Sequence, residues 1–573
     1  MSGSGGNGSQ VLQDVRGALA GHRQVNLTGP LGVGKSHLLA HLDGVTRVDL
    51  DAELPSALGA LRRHLAHPAA ARRTLVVDSV DGSQRVAAVS AALHDARDRH
   101  PALVVVSRQP LAMDPRWTHT AVAVAVAPAC EERITAMTAD IREPGLRALL
   151  HRLAGGIPLL ADTARRALAC GADCEPPGAV ADRLAQVVLE RLGRELPGQR
   201  WRHALRMLAT MRTADERLLP GGPDQFSRLA ALSIVHRDAL GLRIAEPYRT
   251  VLELAYHWRR PEAHEDTRTR ARDYRLTLLR RARDGHERAA LADQMLFLTG
   301  DPLVRRELFP AGDRAVGFRV ACAADEDDIA RLMDRWARHS GFDPRRSARL
   351  TERWAGHDIS TFHLAHDRDG RPIGVANLLP IGEQSADCAE PLMQQHSGML
   401  AGGGLFLGAA HCDDSAARAL LLRHVLRQGV VAGRLVVSTA SPDYQELVRG
   451  LGFRMHGAIH DDVYRCGHRP QVFSNDLGAP DLPGWLERVG SSDGSSGGPP
   501  PEVPHLAPKE LRVLLAYASG LTLESAARRA GIAPNTAKYY LTRVKAKYLA
   551  VGRPTHTKID LARRVREDEL DRA

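Results

Sequence analysis

Lysine is nearly missing from this chain. Arginine supplies almost all of the 77 basic residues, and only six lysines occur: Lys35, Lys509, Lys538, Lys545, Lys547 and Lys558. Missing too is any run of about 18 apolar residues, the length that crosses a bilayer. The longest candidate, Ala121–Ala127, alternates Ala and Val over the length of one strand, so no membrane partner is expected. Cysteine is sparse and odd in number, with seven residues at 130, 170, 174, 322, 388, 412 and 466. Cys170 and Cys174 are the only close pair, and no second Cys or His pair follows at zinc-finger spacing, which leaves reduced thiols as the expectation. A secretion signal is also lacking. Met1–Ser9 is rich in Gly and Ser without a basic start or an apolar continuation, so the segment 1–9 is expected to be disordered and the address cytoplasmic. No repeat with a period of about 30 to 45 residues recurs.

What is present points to several folded modules. A chain of 573 residues is too long for one core, and 44% hydrophobic with 25% charged residues is ordinary for a folded protein. Positive charge gathers at one end. Residues 504–573 hold 14 Lys+Arg against 7 Asp+Glu, a net +7 out of +10 for the whole chain. A small basic terminal region is the footprint of a nucleic-acid partner.

Apolar runs at Val25–Thr28, Val45–Leu50, Leu75–Val77, Leu103–Val106 and Ala121–Ala127 alternate with helical segments, the pattern of a parallel sheet covered on both faces. Thr46, Arg47 and Asp49 make the second run the weakest. The predicted organisation is an α/β module over 10–180, a helical region over 181–310 with a short hairpin near Ile234–Ile244, and a second α/β module over 316–488. A flexible Gly/Ser- then Pro-rich linker over 489–504, with a coil reach of about 20 Å, leads to a terminal all-α module over 505–573.

Gly29-Pro-Leu-Gly32-Val-Gly34-Lys35-Ser36 fits G-x-x-x-x-G-K-[ST] between a strand and a helix that opens through His37. Glycines let backbone N–H groups face phosphate oxygens, Lys35 would reach the β- and γ-phosphates, and the Ser36 hydroxyl would ligate Mg²⁺. The strand Leu75–Asp78 ends in a carboxylate placed as a second Mg²⁺ ligand, and Asp81 follows three residues on. The next strand ends in Ser107-Arg108, and Gly156-Ile157-Pro158 interrupts a helical region.

These four motifs, in this order, resemble the NTPase module of the STAND class, found in large ATP-binding LuxR-family regulators. The resemblance implies ATP or ADP with Mg²⁺ as cofactors, a nucleotide-reading role for Arg108, and Pro158 packed near the adenine. It places a winged helix over Trp201–Tyr256. In many relatives a His after the wing touches the diphosphate, and here Glu246 stands there. Ser79 stands where a second acid would favour hydrolysis, so slow turnover or simple binding is expected.

Leu506–Tyr548 reads as three short helices. Leu511, Leu514, Leu515 and Ala518 form the inner face of the first, ended by Gly520. Thr522 caps the second, Gly531 stops it, and Pro534 opens the third. On the third helix Ala537, Tyr540, Leu541, Val544 and Tyr548 point inward, with Lys538, Tyr539, Thr542, Arg543 and Lys545 outward. Spacing alone also allows a basic solvated face on a three-helix domain. The run from Leu506 to Lys547 resembles the LuxR-type helix-turn-helix. That resemblance implies base contacts by Lys538, Tyr539 and Thr542, and phosphate contacts by Asn535, Thr536, Arg543 and Lys545. Ala507 and Ala533 stand where a hydroxyl usually caps a helix.

The middle module departs from large LuxR relatives, which place helical repeats there. Phe318–Val320, Phe362–Ala365, Arg371–Ala376, Leu405–Gly408 and Leu435–Ser438 resemble the strand order of GNAT acetyltransferases. The turn after Leu407, however, reads Gly408-Ala-Ala-His411-Cys412-Asp413-Asp414-Ser415. It lacks the phosphate-cradling glycines and carries two acids, so a non-catalytic, ligand-sensing or packing role is expected. His411 and Cys412 read as a solvated strand end. Taken together, the sequence predicts a multidomain α/β and α protein with a P-loop parallel-sheet NTPase, a winged-helix region, a GNAT-like domain and a helix-turn-helix. The expected partners are double-stranded promoter DNA and further copies of the chain, with RNA polymerase and a small ligand of the middle domain as additional candidates. The alternatives are an acetyl-CoA-dependent acetyltransferase with regulatory flanks, and a STAND-type stress or defence sensor.

Overall fold

The computed structural model describes all residues except 1–5, 22–23, 52, 67–72, 97–101, 142, 170–175, 311–315, 492–503, 505, 520, 551–554, 556–557 and 568–573. The Cys170/Cys174 pair, Gly520 and most of the expected linker lie outside the described residues. The chain divides into two compact units, 1–493 and 494–573.

The first unit begins with five parallel strands, β1 (Val25–Thr28), β2 (Val45–Asp49), β3 (Thr74–Asp78), β4 (Leu103–Val106) and β5 (Val122–Ala125), in the order β2-β3-β4-β1-β5. Strands β1 and β4 are buried at every residue because they lie inside the sheet with helices on both faces. Leu75, Val77, Leu103 and Val105 face helices Leu54–Ala66 and Ser83–Asp95. Val25, Leu27, Val76 and Val104 face helix Gly6–Ala20 through its Val11 and Val15. That helix corrects the expectation of disorder for residues 6–9 of the segment 1–9, while 1–5 lie outside the described residues. Two valines one turn apart find apolar surface on the sheet, and the helix they anchor extends back to Gly6 despite its Gly/Ser content.

Helices from Glu131 to Met211 follow, and then a three-stranded antiparallel sheet of β6 (Thr213–Ala214), β7 (Val235–Asp238) and β8 (Gly241–Ile244) in the order β6-β8-β7. With helices Arg200–Met211, Gly222–Ala230 and Tyr248–Arg259 this makes a winged-helix arrangement. Its core is continuous with that of helices Pro144–Ala154 and Pro177–Leu192.

Helices Pro261–Leu279, Gly285–Phe297 and Pro302–Leu308 lead to a seven-stranded sheet. Its strands are β9 (Gly317–Val320), β10 (Phe362–His366), β11 (Pro372–Pro380), β12 (Leu405–Cys412), β13 (Arg434–Thr439), β14 (Arg454–Ala458) and β15 (Gln471–Asp476), in the order β14-β15-β13-β12-β11-β10-β9. Only β12 and β13 run parallel, and their pairing stops at Leu407–Val437 although both strands continue. One face packs on helix Ser415–Ala432 and shares a single core with Leu276, Leu291 and Leu296 of the preceding helices and Trp485 of helix Leu482–Ser491. The other face is covered by Trp336, Trp354 and Tyr464. His411 and Cys412 are both buried, which corrects the reading of a solvated strand end. Strand alternation sends them to opposite faces. The Cys412 thiol meets the Ile373 carbonyl at 3.2 Å, while His411 meets the Asp413 carboxylate at 2.9 Å. Among the described residues no group of three or more His, Cys, Asp or Glu could hold a metal.

Charged groups stitch the winged helix to this sheet module. Asp293 receives Arg212 at 3.1 Å and Arg423 through two 2.5 Å contacts. Buried Glu253 receives Arg249 and, at 2.9 Å to both oxygens, Arg305.

Among its described residues the second unit forms four helices, Pro508–Ala518, Leu523–Ala530, Pro534–Ala550 and Lys558–Glu567. The last is additional to the three expected. It buries Leu561 and Val565, one turn apart, in the common core with Val513, Leu514, Leu541 and Val544. Its presence shifts the inner face of the first helix. Val513, Leu514 and Glu510 are buried there, while Leu511, Leu515 and Ala518 are half-buried.

Candidate functional site

The loop after β1 and the carboxyl ends of β3 and β4 converge beside the central strand, the place where open α/β sheets bind ligands. The loop needs its glycines. Gly29 and Gly32 have positive φ, and a Cβ on Gly32 would stand 2.6 Å from the Leu159 side chain. The helix Lys35–Leu39 that follows is short, with Gly34 as its left-handed N-cap. The Lys35 ammonium is buried and donates to the carbonyls of Gly29 and Pro30, the latter at 3.1 Å. Burial pushes its pKa down to about 8, with Asp81 the strongest opposing charge.

The Ser36 hydroxyl donates to Asp78 at 2.8 Å. The same carboxylate pairs with Arg47 and accepts the Ser79 N–H at 2.8 Å. Asp81 accepts the backbone N–H of Arg108 at 2.8 Å and lies 3.2 Å from its guanidinium. Arg108 also pairs with Glu195 and donates to Ser233 at 3.0 Å, so it links the sheet to the winged helix. Burial holds its guanidinium below the ordinary value, opposed first by Asp81. Pro158 opens helix Pro158–Ala169 and lines the same cleft of about 2060 Å³, together with Gly32, Gly34 and the exposed His37. The structure therefore gathers the residues predicted for this site along one cleft, except Gly29, which does not line it and instead accepts the Lys35 ammonium through its carbonyl.

Arg47, Arg191, Arg194, Glu195, Ser233 and Tyr248 escaped the sequence reading. The Tyr248 hydroxyl donates to the Leu31 carbonyl inside the loop. Glu246, two residues earlier, is turned away and bound by Arg249 and Thr250. A signal existed for Arg47: it interrupts the otherwise apolar β2, and with Asp49 and Asp51 it lines the cleft. Glu195, Ser233 and Tyr248 come from far along the chain and carried no local pattern.

In the second unit Thr522 caps its helix by accepting the Ser525 N–H, and Gly531 ends that helix with φ 68°. Ala507 has no side-chain acceptor, yet half of a capping box survives, because Glu510 accepts the Ala507 N–H at 2.8 Å. Asn535, Lys538, Tyr539, Thr542 and Arg543 are exposed along one face of helix Pro534–Ala550, with Thr536 and Lys545 half-buried beside them. Tyr539 is 58% exposed, unusual for a large ring.

Arg543 has an additional partner. Its Nε lies 3.2 Å from Glu510 Oε1, in ion-pair range without hydrogen-bond alignment, while Lys547 donates to Oε2 at 2.6 Å. Burial opposes the Glu510 charge, but Lys547, the Ala507 N–H and Arg543 outweigh it and hold its pKa below the ordinary value. A carboxylate depressed on folding contributes stability above its unfolded pKa, near 4.3, and that contribution fades as pH falls through the lower folded value. Glu510→Gln is expected to cost this unit about 1–2 kcal/mol at pH 7 and to flatten its acid unfolding, read from thermal melts between pH 3 and 7.

No protein-family model and no curated protein matches the sequence. Among solved structures, a Walker-type ATPase of Pyrococcus abyssi aligns at 17% identity over 42% of this chain and 94% of its own, with a TM-score of 0.33. A signal-transduction ATPase with numerous domains and a tetratricopeptide-repeat sensor, from Pyrococcus horikoshii, aligns at 10% identity over 98% of this chain and 76% of its own, TM-score 0.22. A histone acetyltransferase HPA2-related acetyltransferase of Corynebacterium glutamicum aligns at 16% identity over 28% of this chain and 96% of its own, TM-score 0.22. These likenesses concern the fold alone.

Proposed function

We propose that the chain is an ATP-binding transcription regulator whose phosphate loop switches the availability of a C-terminal DNA-binding unit. The observation that carries this reading is a pairing within one chain. Lys35, Ser36, Asp78, Asp81 and Arg108 converge at one cleft, and a separate compact unit displays Lys538, Tyr539 and Thr542 on one exposed helical face.

The residues fit a nucleotide with its cation. Ser36 and Asp78 offer two oxygen donors 2.8 Å apart, a set that suits Mg²⁺ shared with phosphates. Gly29 and Gly32 leave the close approach that a Cβ would fill. When bound, Mg²⁺ would neutralise phosphate charge. Lys35 would leave the two carbonyls for phosphate oxygens, and Asp81 would keep Arg108 aimed at the cleft. Arg108 also holds Glu195 and Ser233, so any anion that draws it loosens the winged helix, a switch set by a local charge. Ser79, in place of an acid, favours slow turnover. The open state would associate with further copies and present several C-terminal units to a promoter, where phosphate contacts dominate affinity and Lys538, Tyr539 and Thr542 read base edges. In the middle module Asp414 accepts the Ala417 N–H at 2.7 Å and caps helix Ser415–Ala432. The helix end that would cradle a pyrophosphate thus already holds a carboxylate, which supports sensing or packing over acetyl transfer.

The test is chromatin mapping of genomic sites followed by retention of a mapped fragment with and without ATP. Sequence-selective, ATP-dependent retention is expected, and a protein that ignores every fragment at low salt sinks the reading. Within the same reading, Gly32→Ala forces a Cβ against Leu159 at φ +77°. It should weaken ATP binding at least about tenfold, the equivalent of the roughly 1–2 kcal/mol that a left-handed non-glycine residue costs, as measured by titration calorimetry.

A further inference from the structure

A second cleft, of about 460 Å³, opens where the wing hairpin β7–β8 and helix Gly285–Phe297 meet helix Ser415–Ala432. Five arginines line it against three carboxylates, and the carboxylates are already engaged. Asp293 serves Arg212 and Arg423, Glu246 serves Arg249, and Asp238 lies 3.6 Å from Arg243. Arg427 is exposed on the rim and forms no ion pair among the described residues. Behind the wall Arg275 is buried and answered by the carbonyls of Met211 and Thr213, not by an acid.

Two rings hold three of the five lining guanidiniums, those of Arg212, Arg249 and Arg423, together with neighbouring Arg305. Arg212, Arg249 and Arg305 sit 5.5, 4.9 and 3.9 Å from the centre of Phe297, and Arg212 and Arg423 sit 4.9 and 4.7 Å from that of Phe309. Guanidiniums stacked on rings keep their planes fixed and their edge N–H groups in a set direction. A polar cleft with ring-oriented guanidiniums inside and an excess of arginine over carboxylate completed at its rim is built to receive charge of the opposite sign.

We propose that this cleft binds a small multivalent anion bearing phosphate groups, held by Arg427 and Arg243 at the rim and by Arg212 and Arg423 within. Arg212 and Arg275 are crowded by like charge. Burial first, and then neighbouring guanidiniums, bring both down to about 10 against the pull of Asp293 and Asp215. A bound phosphate group relieves that crowding and ties the wing to the helix Ser415–Ala432. This is a second ligand input to the first unit. It depends on neither the nucleotide nor the DNA reading.

The probe is inorganic pyrophosphate, titrated by calorimetry into the full chain carrying Lys35→Ala, so that the phosphate loop does not supply the signal. One site is expected, weakened at least tenfold when Arg243→Ala and Arg427→Ala are added. Both side chains reach solvent, so the far-ultraviolet circular dichroism and melting temperature should hold. Absence of pyrophosphate binding in the Lys35→Ala chain, or binding untouched by the two further substitutions, overturns the site. Citrate is the comparison. If it binds as tightly as pyrophosphate, the phosphate assignment is overturned.

Discussion

Lys35→Ala is expected to abolish measurable ATP binding while leaving the fold intact. The ammonium is buried and, among the described residues, donates to two loop carbonyls and to no carboxylate, so truncation removes a desolvated charge without orphaning an acid. What is lost is the cation that would answer two phosphates. Hydrogen bonds to charged groups contribute about 1.5–3 kcal/mol each, so two of them correspond to roughly a hundredfold or more in Kd. Calorimetric titration of ATP–Mg²⁺ reads the loss directly, and affinity within threefold of the parent would remove Lys35 from the phosphate site. A pH dependence goes with it. Burial brings Lys35 down to about 8, and only the protonated form attracts phosphate. ATP affinity of the parent chain should therefore fall as pH rises through about 8, and the Lys35→Ala chain should lack that fall.

The second large effect concerns the exposed face of helix Pro534–Ala550. Replacing Lys538 and Tyr539 together by alanine should weaken binding to a mapped promoter fragment by about a hundredfold or more, from about 1–3 kcal/mol at each base-contacting position. Their side chains are exposed, and surface substitutions of this kind change stability by no more than about 0.5 kcal/mol. A melting temperature equal to the parent's therefore separates lost contacts from lost fold. If Lys538 also neutralises a phosphate, the slope of log affinity against log salt should drop by about one. Fluorescence anisotropy across a salt series measures both quantities. An unchanged affinity and slope would take DNA recognition away from this face, leaving it a solvated basic surface.

Much of the phosphate-loop cleft was legible because its parts are contiguous. A glycine loop, the lysine and serine after it, and acids at strand ends each form a local pattern that backbone geometry imposes. The partners that complete the cleft come from elsewhere. Tyr248 reaches Leu31 across more than two hundred residues, Ser233 reaches Arg108 from the winged helix, and Glu195 does so from the turn that precedes it. Nothing local marks a tyrosine or a glutamate for such a contact. Arg47 was visible but misread, since a charge inside an apolar run looks like a weak strand until the sheet puts its end beside the loop.

In the C-terminal unit the turn residues Thr522, Gly531 and Pro534 stood out because capping is a local matter. The fourth helix and the inward turn of Glu510 did not, because both depend on what packs across the bundle. His411 was misplaced for a related reason. Adjacent acids suggested water, but Asp413 itself covers the imidazole, and the middle sheet supplies the rest of the burial.

The core that runs unbroken from Leu276 and Leu296 through the seven-stranded sheet to Trp485 has a thermodynamic consequence. Helices 261–308 and the sheet module cannot denature one after the other, because either alone would expose the apolar face it shares. Differential scanning calorimetry should record them as one endotherm. A protein shortened at residue 310 would lose the surface that shields Leu291 and Leu296 and would aggregate on heating.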